Sequence, residues 1–288
     1  MAALDQVGSW PVANASAVVL GPLPAGAGAG RSAVLASAGN PERPFAWASI
    51  TKVLVALVAL VAVEEGSLDL DEPAGPPGST VRHLLAHASG LDAQRPVVRT
   101  EPGRRRIYSN AGFEALATVV ADRTGMPMRR YLVEGVLEPL GMTGTDLPEG
   151  SSAASGAVGP AADLGRLAGE LLQPRLVAAS TLALASAVAF PGLAGVLPGY
   201  GWFDPCDWGL GLEVKGGKDR HWTGPGNSAR TFGHFGQSGG FIWVDPGVGV
   251  ACVALTDRAF GPWAVEAWPL LSQAVLEEVG WGLGAGMS

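Results

Sequence analysis

The chain has 288 residues, 48% of them hydrophobic, with a formal net charge of −7 and an isoelectric point near 5.1. That is ample for a sizeable core, in one large domain or two intimate lobes, and an acidic chain with no basic stripe is a poor candidate for nucleic-acid binding. The two cysteines, Cys206 and Cys252, make no disulfide framework and fit no zinc spacing.

Glycine (42) and proline (22) are abundant, yet the mean hydropathy of +0.26 argues for a packed, loop-rich fold rather than disorder. The first residues, Met1-Ala2-Ala3-Leu4-Asp5-Gln6, lack the basic and apolar regions of a secretory signal. The longest apolar run, Val53 to Val63, has 11 residues, too few for a bilayer span of roughly 20. The expectation is a soluble, cytoplasmic protein without a membrane association.

In chain order, Ala15 to Leu20 and Ser32 to Ser37 read as strands, joined by a Gly/Pro-rich loop over 21–30. No Gly-Lys-Ser/Thr ends that loop and a strand follows it, so it is not a phosphate loop. A helix headed by Ser49 runs to about Glu65 and stops at Gly66. Thr80 to Ala88 is a short helix closed by Ser89-Gly90. Asn110 to Thr124 is a helix with an N-cap at Ser109 or Asn110 and a stop at Gly125. Shorter helices are expected over Met128 to Val136, Ala161 to Leu172 and Ala178 to Ala189, with a mobile Ser/Ala/Gly-rich loop from Glu149 to Pro160. Strands return over Trp208 to Val214, Thr231 to Phe235, Gly240 to Val244 and Val248 to Thr256, with a turn at Asp245-Pro246-Gly247. Trp263 to Val279 is a closing helix. Strands at both ends with helices between them predict an α/β (α+β) domain: one antiparallel sheet from the N- and C-terminal segments, flanked by helices. The sheet lobe takes about 1–48 and 200–288, and the inserted helical lobe about 49–199.

Chemistry concentrates in three places. Ser49-Ile50-Thr51-Lys52 sets a serine and a lysine on one helical turn, facing the same way. A hydroxyl needs a neighbouring base to become a nucleophile, and an amine buried against an apolar helix can serve once its pKa falls. Tyr108-Ser109-Asn110 and His234-Phe235-Gly236-Gln237 follow far along the chain. The order S-x-x-K, Y-x-N, then H-x-G in the slot of K-T-G is related to the motif set of class A β-lactamases and penicillin-binding proteins.

With these motifs the chain resembles the class C β-lactamase-like serine hydrolases, which include β-lactamases, DD-peptidases and esterases. Leu84 to Leu91, Trp208-Gly209-Leu210-Gly211-Leu212 and Gly233 to Gly240 strengthen the likeness, which spans about residues 15 to 280. The resemblance implies Ser49 as acylated nucleophile, Lys52 as its activator, and Tyr108 sharing base duty and returning a proton to the leaving group. It implies that Asn110 contacts the substrate's acyl side and steadies Lys52, that His234 and Gly236 line the edge where substrate docks, and that the amides of Ser49 and Gln237 form the oxyanion hole. No metal and no cofactor are implied, and the partner is a small-molecule substrate.

One departure bears on the substrate. His234 replaces a fixed cation with a group mostly neutral at pH 7, and Phe235 removes a hydroxyl that some DD-peptidases with histidine at the first position retain. The expectation therefore leans to small esters or neutral amides. β-Lactamase, D-aminopeptidase or DD-peptidase activity is the enzymatic alternative, and a non-catalytic ligand-binding protein is the alternative of another class. Gly236-Gln237-Ser238-Gly239-Gly240 matches G-x-S-x-G, but a strand rather than a helix is expected after it and no histidine lies beyond His234, which argues against a nucleophile elbow. His83 and His87 lack the glutamate of H-E-x-x-H and read as structural. Arg104-Arg105-Arg106 reads as a solvated loop. Tyr200, Trp202, Phe203, Trp208 and Trp222 are candidates for an apolar acyl pocket.

Overall fold

The computed structural model describes residues 1–22 and 32–284; most of the loop expected between the first two strands, residues 23–31, lies outside the described residues. A 3₁₀ helix, Ala2–Ser9, precedes β1 (Ala15–Pro22) and β2 (Ser32–Gly39). β3 (Pro44–Ala46) leads through a 3₁₀ turn, Ala48–Ile50, into α1 (Thr51–Glu64). Then come α2 (Val81–Leu85), α3 (Asn110–Thr124), α4 (Met128–Leu132), a π-helical turn Val133–Leu137, and α5 (Glu138–Leu140). β4 (Val158–Pro160), α6 (Ala161–Leu172) and α7 (Ala179–Ser186) follow. β5 (Gly195–Leu197) and β6 (Gly201–Phe203) form a hairpin, and β7 (Glu213–Val214), β8 (Phe232–Gly236), β9 (Gly240–Asp245), β10 (Val250–Thr256) and α8 (Pro262–Gly284) complete the chain.

The main sheet is antiparallel, in the order β2-β1-β10-β9-β8-β7. As expected, it joins the two ends of the chain: Ala15 pairs with Thr256. Apart from the edge strand β2, its strands are buried on both faces, so each alternates between two cores with period two. Val18, Leu20, Ile242, Val253 and Leu255 face α1 and α6. Ala17, Val19, Phe241, Trp243 and Cys252 face Trp268, Leu271 and Val275 of α8. α6, from the middle of the chain, packs on β1 and β10.

α1 is apolar all round and buried from Thr51 to Ala62, which makes it the central helix of the first core. Each fully buried Val or Leu there contributes roughly 1.5–3 kcal/mol. Lys52 is its only charged residue before Glu64, and its burial needs specific partners. Gly211, at φ +76, explains one glycine of the Trp208–Leu212 motif: a Cβ there would sit 2.2 Å from the Ala56 Cβ of α1.

Several expectations are corrected. The segment read as a mobile loop from Glu149 is packed: Ala153, Ala154 and Ala157 are buried, and β4 pairs with β3. Of the expected Trp208 to Val214 strand only Glu213–Val214 joins the sheet, Trp208 making an isolated bridge back to Glu213, because the glycines turn the intervening backbone toward α1 and α7. Arg106 is not solvated: it is buried, donating from Nε to the carbonyl of Cys206 (3.1 Å) and from Nη2 to Ala189 (2.8 Å). Among the described residues no helix is long and apolar enough to cross a membrane.

Candidate active site

Ser49 lies in the 3₁₀ turn, two residues before α1 begins at Thr51, rather than in the α-helix itself. Trp47 anchors the turn, its indole donating to the Gly159 carbonyl (3.0 Å) and its amide to Ala157 (2.9 Å). Ala48, directly before the serine, has φ +45. A non-glycine residue in that region costs of order 1–3 kcal/mol. Thr51 offsets the strain, donating from Oγ1 to the Ala48 carbonyl (2.6 Å) while accepting from the Ala157 amide (3.0 Å).

One turn on, Lys52 Nζ stands 3.3 Å from Ser49 Oγ, 2.6 Å from Asn110 Oδ1 and 2.8 Å from the Ala154 carbonyl. Burial lowers its pKa to about 7, the negative charge of Glu114 pulling the other way. Two of these three oxygens belong to carbonyl groups and only accept. The neutral amine therefore donates twice and has its lone pair left for the Ser49 hydroxyl. Asn110 is held in that orientation because its Nδ2 donates to Gln94 Oε1 (3.0 Å). Glu114 also receives hydrogen bonds from Ser152 Oγ and the Ala154 amide (3.2 Å), which holds the 152–154 backbone against Lys52.

Tyr108 and Asn110 flank Ser109, the N-cap of α3, whose Oγ accepts from the Gly112 amide (2.9 Å) and donates to the Asp92 carbonyl (2.6 Å). The cap fixes both flanking side chains relative to α1. The Tyr108 ring packs on His87 (4.5 Å between centroids) and Trp208 (5.6 Å), with Lys52 Nζ 4.8 Å from its centroid. Burial holds its phenol well above the usual tyrosine range, the Ser49 hydroxyl opposing this only in part. His87 is structural, as expected: its Nδ1 accepts from the Ser109 amide (3.1 Å). His83 completes a capping box with Thr80.

β8 closes the other side. His234 Nδ1 donates to the Phe235 carbonyl (2.7 Å), which leaves Nε2 as an acceptor facing the Tyr108 hydroxyl at 3.5 Å. Burial, then the nearby Lys52 charge, lower the His234 pKa to about 3, so the ring is neutral at physiological pH. Phe235 turns to the opposite core, against Phe260 (5.0 Å) and Trp268 (5.9 Å). Gly236 is required by close approach: a Cβ would lie 2.3 Å from the Trp47 carbonyl. Gln237 follows in the turn to β9. Ser238 thus sits between two strands, and the nucleophile elbow is excluded by the observed hairpin as well.

All seven residues singled out in the sequence therefore converge on this cleft. The proposed acyl pocket does not form as such: Trp202 is 53% exposed and Trp222 is buried in the second core, and only Trp208 of that group borders the serine. Glu114, the Ala154 carbonyl and the Leu197-Pro198 overhang of the β5–β6 hairpin went unseen in the sequence. So did Glu213, which borders a slot of about 40 Å³ beside Ser49 and Tyr108. A lone carboxylate in the apolar run Leu210 to Val214 was the one signal that could have flagged it.

The sheet, the central helix and the serine turn at its head make this a mixed α/β fold of the β-lactamase and penicillin-binding-protein kind. The family model for Beta-lactamase matches residues 25–276, and the chain belongs to that family of serine hydrolases. The crystal structure of a β-lactamase from Mycobacterium bovis is 55% identical over 96% of this chain and 99% of its own, with a TM-score of 0.91. EstCE1, a hydrolase with promiscuous acyltransferase activity, shares the fold at 19% identity, covering 95% of this chain and 96% of its own (TM-score 0.74). The D-alanyl-D-alanine-carboxypeptidase/endopeptidase AmpH of Escherichia coli K12 is 27% identical over 149 residues, 37% of this chain. The match spans only 39% of that protein's length.

Proposed function

We propose that the protein hydrolyses small carboxylic esters or neutral amides through an acyl-enzyme on Ser49. The observation that carries this reading is the Lys52 amine, poised near pKa 7 with its open position toward Ser49 Oγ at 3.3 Å. Lys52 is the base rather than Tyr108, because the phenol is held protonated. Ser49 Oγ attacks the substrate carbonyl as its proton passes to Lys52. The amides of Ser49 and Gln237 receive the oxyanion. As the tetrahedral adduct collapses, the Tyr108 phenol protonates the leaving oxygen or nitrogen and is reloaded from Lys52. Water then attacks the acyl-enzyme by the same route in reverse, one proton going to Lys52 and on to Ser49 Oγ as the acid departs.

The substrate class follows from the β8 edge. A neutral His234 and an inward Phe235 offer no fixed charge or hydroxyl to a substrate carboxylate. A second reading, β-lactam hydrolysis, is favoured by the 55% identity to the Mycobacterium bovis protein, which is described as a β-lactamase.

Intact-mass detection of labelling by a fluorophosphonate and, separately, by a penicillin separates these readings. The wild type is compared with Ser49→Ala and Ser238→Ala. Fluorophosphonate labelling lost only in Ser49→Ala is the expected outcome. Penicillin labelling of the wild type would favour the second reading. Labelling that survives Ser49→Ala but not Ser238→Ala would overturn the mechanism. No labelling at all would leave a ligand-binding protein without turnover.

A further inference from the structure

Lys52 is held by one face of α3. Asn110 and Glu114 stand four residues apart on that helix and so share a face, and both bear on the amine. Asn110 reaches it directly, Oδ1 lying 2.6 Å from Nζ. Glu114 reaches it through a stretch of backbone. Its Oε1 accepts from Ser152 Oγ and from the Ala154 amide (3.2 Å), and its Oε2 from the Ala153 amide (3.3 Å). Ser152 Oγ also accepts from the Ala154 amide (3.1 Å). The Ala154 carbonyl then accepts from Nζ at 2.8 Å. Three residues on, the Ala157 backbone is tied to Trp47 (2.9 Å) and Thr51 (3.0 Å), on either side of Ser49. The Ala154 carbonyl thus hangs between two anchors, the serine turn and Glu114.

The other surroundings of the amine are apolar or neutral. The Tyr108 and Phe113 ring centroids lie 4.8 and 5.6 Å from Nζ. The nearby ionisable groups are the Tyr108 phenol, His87 and His234, and burial keeps all three uncharged at neutral pH. Glu114, itself exposed, is the carboxylate that opposes the effect of burial on the amine. We propose that Glu114 is a positioning residue for the base: it fixes the carbonyl that orients the Lys52 amine, and its charge sets the pH at which that amine is free to accept the Ser49 proton. Without the anchor, the 152–154 backbone is released and the amine loses one of the two acceptors that turn its lone pair toward Ser49. Without the charge, the ammonium form loses its compensation and the neutral amine prevails at lower pH. This deepens the acyl-enzyme reading and rests on it.

The test is the rate of Ser49 labelling by a fluorophosphonate on the full chain, followed by intact mass between about pH 5 and 9, which needs no known substrate. Glu114→Gln keeps an acceptor for Ser152 Oγ and the Ala154 amide and removes the charge; Glu114→Ala removes both. In each variant the rise in rate, centred near pH 7 in the wild type, is expected to move down by about half a pH unit, as a partly screened charge is lost. At pH 6 the rate, as a share of its own plateau, then grows about two- to threefold. The plateau is expected to fall about tenfold in Glu114→Ala and to be largely rescued in Glu114→Gln. A residue that merely stabilises the fold would lower the melting temperature and leave the pH profile in place. A profile unmoved in folded Glu114→Gln, or a plateau as high in Glu114→Ala as in Glu114→Gln, would overturn the proposal. A Glu114→Gln that fails to fold would mark the residue as structural and overturn it too. Absence of labelling at Ser49 in the wild type, or a profile that survives in Lys52→Met, would instead overturn the acyl-enzyme reading with Lys52 as base, and this inference with it.

Discussion

An amine in water at neutral pH is almost entirely protonated and useless as a base; Lys52 escapes this because α1 surrounds it with apolar side chains and leaves it two carbonyl oxygens. Its pKa of about 7 means that kcat/KM rises with pH through about 7, as the base loses its proton, and levels off above. Lys52→Met is expected to lower kcat/KM by about 10²–10⁴ and to abolish that rise; steady-state assays between pH 5.5 and 9 check both. A profile unchanged in the variant would assign the base elsewhere. Ser49, Lys52, Tyr108 and His234 were legible in the sequence because their chemistry resides in residue type and short spacing. The Ala154 carbonyl left no such mark, since any residue supplies a backbone oxygen. Glu213 was hidden because its partners Lys218 and His221 are brought to it only by folding.

At the level of elements, one cap positions two functional side chains. Ser109 starts α3 and separates Tyr108 from Asn110, so its two side-chain hydrogen bonds set both. Ser109→Ala is expected to cost about 1 kcal/mol of stability and to lower kcat more than the stability change explains. Urea unfolding together with kinetics checks this, and a destabilised variant with wild-type kcat would sever cap from catalysis. α3 and α6 begin and end where the sequence placed them, because a cap serine and a stop glycine bracket the first and apolar periodicity defines the second. β3, β4, β5 and β6 were illegible. Each has three residues, too few for a period to emerge, and their pairing partners lie far away in the chain or amid Gly/Pro-rich sequence.

For the molecule as a whole, the aromatic floor of the site makes stability sensitive to acid. His87 and His234 are buried, and burial depresses both pKa values, His234 to about 3 and His87 well below the ordinary 6.5. The unfolded chain takes up protons below pH 6.5 that the folded one refuses, so the stability these groups contribute is complete above 6.5 and drains as pH falls toward 3. The slope approaches about 1.4 kcal/mol per pH unit for each. Thermal midpoints at pH 7.5, 6 and 5 are expected to descend accordingly; a flat profile over that range would mean the rings are not buried in solution. The meeting of the two chain ends in one sheet was foreseen from strand character alone, and it has a cost in time. β1 cannot gain its neighbour β10 until about 240 further residues have been synthesised, which at ribosomal rates takes about 10–50 s. Throughout that interval an apolar strand lacks one of its two neighbours, so refolding from denaturant is expected to be slow for a reason of topology rather than of any single contact.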